Sequence, residues 1–136
     1  MAQPSKLMIG TLAAGQAAMV TLDSLGIRTK SVDAAPAHNS RYVKLGNGAL
    51  KGVGYRQAEW HLNGIRDTHW AALYAYRTSQ TTELYIRTYS EDGKTFRSYI
   101  CLMTWPETPP QRDHDTDVVL DFTLTFTHMV EQAELP

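Results

Sequence analysis

Five histidines, one cysteine and fourteen carboxylates are the residues of this 136-residue chain with chemistry to offer, and their spacing decides what they can do. Asp113-His114-Asp115 sets an imidazole between two carboxylates, which would bind a divalent ion if a fourth donor approached. It stands three residues after Pro109-Pro110, however, and reads as a hydrated charged loop. His61 and His69 lie far apart across a strand-to-helix turn, and no His-x-x-x-His pair occurs. Cys101 sits between Ile100 and Leu102, where a thiol acts as a small apolar filler; a nucleophile needs exposure and a neighbouring base, and neither is indicated. Gly46-x-Gly48-x-x-x-Gly52-x-Gly54 lacks the Gly-Lys-Ser/Thr ending of a phosphate loop and leads into no helix, so these are turn glycines. The spacing predicts no catalytic centre, no metal site and no cofactor.

Composition narrows the class further. Thirteen Lys and Arg against fourteen Asp and Glu give a net charge of −1, which supplies no basic footprint for tight binding to nucleic acid or an anionic membrane. A 43% hydrophobic share is enough to build a core. One cysteine forms no internal disulfide and suits a reducing cytosol. The mildly apolar stretch 7–20 is interrupted by Gly10, Thr11, Gly15 and Gln16, unlike a secretory signal, and no apolar run is long enough to span a bilayer. The whole of 1–136 therefore reads as a single domain without repeats.

The elements that must position any site are mostly strands. Residues 1–40 are loosely patterned, with a strand at 17–22 and an exposed loop at 33–40 around Pro36. Asn47-Gly48 predicts a two-residue hairpin turn within 41–53, with positive φ at both central residues. In 55–62 the alternation turns Ala58, Trp60 and Leu62 toward the core. Asp67 is placed to cap a helix over about 68–78, with Trp70, Leu73 and Tyr74 on one face. Residues 82–89 and 95–105 form a hairpin about Ser90–Lys94, and Glu107–Thr116 breaks the ladder as a solvated loop. Within 117–130, Leu120, Phe122, Leu124 and Phe126 point one way while Asp121, Thr123, Thr125 and Thr127 point the other, as in an antiparallel sheet with one wet face. The predicted fold class is mainly β, a β-sandwich or rolled antiparallel sheet with one flanking α-helix.

Tyr85, Arg87 and Tyr89, joined across the turn by Arg97 and Tyr99, compose an aromatic and basic face suited to a subunit interface, since Tyr and Arg are enriched at such contacts. Stacking on bases or sugars is the competing use of the same face.

Gly52-Val53-Gly54-Tyr55, Ala58-Glu59-Trp60, the single helix, Leu84-Tyr85-Ile86-Arg87-Thr88, Met103-Thr104-Trp105-Pro106 and the closing 120–126 strand together resemble the major tail tube proteins of long-tailed bacteriophages. The resemblance covers residues 41–130. It implies a homo-oligomer: six copies in a ring, rings stacked into a tube, transient non-specific passage of DNA through the lumen, and tape measure and terminator proteins as neighbours. It also implies a non-enzymatic virion protein assembled in the host cytoplasm. A lumen lined with hydroxyls and carboxylates holds phosphate less than one lined with Lys and Arg, and Asp121, Thr123, Thr125 and Thr127 have that composition. Ring stacking needs a reaching element, for which the loop of Pro109, Pro110, Arg112, Asp113, His114 and Asp115, the 33–40 loop and the N-terminal arm are candidates.

A distal tail or baseplate hub protein, or a tail terminator, shares the same ring-forming plan; short length and the lack of a second domain favour the tube. Two other classes remain. One is a small β-type ligand-binding domain using Trp60, Trp70, Trp105 and the tyrosines as a platform. The other is a small enzyme using His61 or His114 as an acid–base group.

Overall fold

A strand that alternates apolar and polar side chains must lie against a core on one side and meet water on the other. Most of this chain obeys that constraint. The computed structural model describes residues 6–27, 32–79, 81–106, 111–113, 118–119 and 121–133. In chain order the elements are β1 (Met8–Thr11), β2 (Val20–Thr21), β3 (Val32–Ala34), β4 (His38–Lys44), β5 (Leu50–Leu62), β6 (Ile65–Arg66) and α1 (Asp67–Tyr74). After the helix come β7 (Thr81–Tyr89), β8 (Phe96–Thr104), β9 (Arg112–Asp113), β10 (Val118–Val119) and β11 (Phe122–Glu131).

The protein is mainly β, with one α-helix among the described residues. Its large antiparallel sheet runs β2-β1-β7-β8-β11-β5-β3, with β4 paired to the outer half of β5, and β6-β10-β9 form a small second sheet. One face of the large sheet is the core: Ile9, Leu84, Ile86, Tyr99, Cys101, Met103, Leu124, Phe126, Ala58, Trp60 and Leu62 are all 1% exposed or less. The helix closes over this face through buried Leu73 and an aromatic cluster. Trp70 stacks on Tyr74 at 4.6 Å, Trp105 meets both edge-on, and Trp105 stacks on Phe122 of β11 at 5.7 Å.

Several local expectations are corrected. The described residues of the first forty are not a loose arm. β1 pairs with β7 along Met8–Thr11, and Leu7, Ile9, Leu22 and Ile27 are buried in the common core. The strand expected at 17–22 is reduced to β2 between two 3-10 turns, Gln16–Ala18 and Leu22–Leu25. The expected loop 33–40 instead supplies most of β3 and the start of β4, with Ala37 buried. The helix is a shorter Asp67–Tyr74, and Arg66 holds the N-cap position, leaving Asp67 in the first turn. Within the expected loop at Glu107–Thr116, Arg112 and Asp113 pair with Val119 and Val118 as β9.

The hairpin at 41–53 forms, but through a three-residue turn. Leu45 N–H donates to Ala49 O at 2.7 Å and Gly48 N–H to Leu45 O at 2.9 Å, and φ is positive (88°) at Gly48 but not at Asn47. One left-handed residue after a tight turn satisfies the strand twist here, whereas a two-residue turn would need two.

β5 leads a double life. Its inner residues Ala58–Leu62 pair with β11, and Trp60–Leu62 also with β3, while the outer half pairs with β4 alone. The partings are marked by irregularities on both strands. The β4–β5 register shifts between Asn39 and Arg41, opposite Gly54 with φ 81°, and the β11–β8 register shifts between Thr127 and Val130, around His128 with φ 53°. Such bulges bend a strand away from its neighbour. The rings of Tyr55 and His128 stack at 4.4 Å where the strands separate, fastening the base of the β4–β5 arm to the body.

Candidate functional site: an open face of hydroxyls and carboxylates

The face of the large sheet opposite the core is built row by row from the strand register. Thr81 of β7, Thr104 of β8, Thr125 of β11 and Glu59 of β5 are directly paired neighbours across four strands, and the Thr81 and Thr104 hydroxyls stand 3.4 Å apart. The adjacent row joins Thr123, His61 and Asp33. His61 Nδ1 lies 2.9 Å from Thr123 Oγ1, and Nε2 lies 4.0 Å from Asp121 Oδ2. On the other side come Glu83, Leu102 and Thr127, then Tyr85 and Ile100. Asp33, Glu59, Glu83 and Asp121 are exposed, and Thr123, Thr125 and Thr127 are half-buried.

Asp121, Thr123, Thr125 and Thr127 thus share one wet face, and Phe122, Leu124 and Phe126 are buried behind them. Leu120 lies outside the described residues. Three members of this face, Asp33, Glu59 and Glu83, escape a strand-by-strand reading, because only cross-strand pairing brings them beside the threonines.

The aromatic and basic face is divided by the same register. Tyr85 pairs with Ile100, Arg87 with Ser98 and Tyr89 with Phe96, so Arg97 and Tyr99 stand on the opposite side of the sheet, against Thr88 and Ile86. A single surface containing all five residues does not form. Tyr99 is fully buried in the core, and burial together with Glu131 pushes its phenol upward in pKa. Arg87 is 4% exposed and donates to Ser98 Oγ at 3.1 Å. Tyr85, Tyr89 and Arg97 remain half-buried, and the Tyr89 and Phe96 rings meet at 4.5 Å.

Of the expected stacking loop, Pro109, Pro110, His114 and Asp115 lie outside the described residues. Arg112 and Asp113 are held in β9. Among the described residues no group of three His, Cys, Asp or Glu side chains is placed to hold a metal ion. Trp60 is fully buried and Trp105 nearly so, which removes both from an exposed binding platform. The Cys101 thiol is buried, and desolvation first, then the Glu83 charge, raises its pKa far above the ordinary thiol value.

Among the described residues, His61 is the one histidine flanked by a hydroxyl and a carboxylate. Its geometry does not assemble a relay: Asp121 stands beyond hydrogen-bond reach, and the two side chains are 43% and 63% exposed, so water competes at both. A shallow cleft of about 270 Å³ opens between Arg56, Glu91, Asp92, Arg97 and Glu131. Arg56, Glu91 and Asp92 have local partners. Arg56 pairs with Glu91 at 2.9 Å, and Asp92 accepts from the Thr95 and Lys94 amides and from the Ser90 and Thr95 hydroxyls, which holds its carboxyl well below the usual range. This is turn chemistry.

No helix among the described residues is long and apolar enough to cross a membrane. Comparison with protein-family models, curated proteins and solved structures finds no match to this chain.

Proposed function

We propose that this chain is the repeating structural subunit of a bacteriophage tail tube, six copies closing into a ring and rings stacking around a channel for DNA. The observation that carries the reading is the composition of the open sheet face. It presents four exposed carboxylates among ordered rows of threonine, and the Arg87 guanidinium on the same face is buried and bonded to Ser98. Each Lys or Arg that touches a phosphate releases counterions and adds affinity, so a conduit for DNA works best with none at its surface. Hydroxyls and carboxylates keep the wall wet and the duplex moving.

Asp121, Thr123, Thr125 and Thr127 then line the lumen, joined by Glu59 and Glu83. Tape measure and terminator proteins are the expected neighbours, and the virion tail is the expected location. The fold supports the reading in a second way. A rolled sheet with short edge strands β2 and β3 offers different surfaces at its two edges, and ring closure requires two different complementary surfaces.

Negative-stain electron microscopy of the purified chain over a concentration series tests this. Hollow tubes with sixfold end views are expected. Single rings that never stack would move the assignment to a distal tail, hub or terminator ring, and a persistent monomer that binds a small ligand would replace it with the ligand-binding class.

A further inference from the structure

We propose that the β4–β5 arm is the element that joins copies of this chain, its tip seating on the carboxylate-bearing body of a second copy. The inference rests on the self-assembling reading above and names the part that makes the contact.

Every residue from 41 to 51 is exposed. A two-stranded ribbon without a covering layer is marginal in water, because it buries too little apolar area to offset the ordering of its backbone. This ribbon nevertheless presents Tyr42, Val43, Leu45 and Leu50 at 41–71% exposure. The pairing of Tyr42 with Gly52 and of Lys44 with Leu50 puts Tyr42, Lys44 and Leu50 on one side, while Arg41, Val43 and Lys51 occupy the other. Both sides therefore mix apolar and cationic groups, the composition of a surface that docks on protein.

Charge selects the occupant. The segment 41–51 holds three cations and no carboxylate, and Arg41, Lys44 and Lys51 make no ion pair among the described residues. The rest of the chain sets ten cations against fourteen carboxylates. A cationic arm on an anionic body complements another copy of the same chain. Arm against arm would oppose three cations with three, so the contact must be arm on body, which propagates or closes a ring when each copy gives its arm to the next. The Gly54 bulge bends the arm away from β11 and sets its reach.

Sedimentation velocity over a concentration series compares the intact chain with the double variant Lys44→Glu/Lys51→Glu and with Tyr42→Ser/Leu50→Ser. Both variants are expected to keep the far-ultraviolet circular dichroism and urea midpoint of the parent while raising the concentration needed for assembly at least about tenfold. Assembly of the parent should also weaken with salt, as contacts between exposed charges do. Tubes or rings formed equally well by both variants would overturn the arm and leave the subunit reading intact. A closed dimer with exchanged arms, lost in the variants, would keep the arm and remove the ring. A parent that stays monomeric throughout, or whose arm instead binds duplex DNA or anionic vesicles, would overturn the proposal.

Discussion

The indole N–H of Trp60 on β5 donates to Thr88 Oγ1 on β7 at 3.0 Å, although two strands, β11 and β8, lie between them in the sheet. Three strand spacings in a flat sheet span about 14 Å, well beyond the combined reach of the two side chains. The bond therefore exists only because the sheet curls on itself. Trp60 also meets Phe126 edge-on at 4.7 Å, so one residue ties the roll by both a polar and an aromatic contact.

Replacing Thr88 by Val keeps the shape and removes the acceptor, leaving a buried indole N–H without its partner. A loss of about 1–3 kcal/mol is expected, read as a lower urea midpoint with an unchanged slope. Thr88→Ser should retain most of the stability. A loss in Thr88→Ser with none in Thr88→Val would mean that the hydroxyl contributes nothing and the methyl everything.

The two sides of β11 should answer differently to substitution. Phe126→Ala removes a fully buried ring and is expected to destabilise by about 3–5 kcal/mol. Thr125→Lys places a cation on the wet side, where the midpoint should move by less than about 0.5 kcal/mol. In a phage carrying Thr125→Lys, ring assembly or DNA delivery should fail even though the monomer folds. Normal infectivity would remove Thr125 from the lumen.

Where the period was strict the strands were legible from the residues alone: Ala58, Trp60 and Leu62 of β5 and Phe122, Leu124 and Phe126 of β11 are buried as alternation selects, whereas Met129, past the irregularity at His128, is buried out of that period. Register was not legible. The Ser90–Thr95 turn, closed by Ser90 N–H to Thr95 O at 2.9 Å, pairs Arg87 with Ser98; a slip of one residue would have put Arg97 beside it. That single offset splits the expected aromatic and basic surface between two faces. β1 was hidden for another reason. It is four residues long and contains Gly10, which is needed because a Cβ there would press on Met19 at 2.9 Å. Three of the four acidic members of the open face, Asp33, Glu59 and Glu83, come from β3, β5 and β7, and only tertiary pairing gathers them.

Acid should weaken the β7–β8 turn. The Asp92 carboxylate accepts from two amides and two hydroxyls, and its folded pKa lies well below the unfolded value of about 3.9. A depressed folded pKa adds stability above the unfolded value and loses it as the pH falls from there through the folded one. The urea midpoint of the intact chain should exceed that of Asp92→Asn at pH 7, and the gap should narrow steadily below about pH 4. A gap that stays constant down to pH 2 would show that the acceptor geometry, and not the charge, holds the turn.

Cys101 reports on opening of the core. It is 1% exposed between β7 and β11, and desolvation keeps it a thiol at any ordinary pH. Reaction with a disulfide reagent must then wait for the sheet to open. For a stability of about 5 kcal/mol, labelling of the folded chain should run at least about a thousandfold slower than labelling in urea. The rate should rise with urea along the unfolding curve, and Phe126→Ala, which loosens the adjoining strand, should raise it in proportion to its loss of stability. Rapid stoichiometric labelling of the folded chain, unchanged by Phe126→Ala, would mean that the β8 segment opens locally without disturbing the core against which it packs.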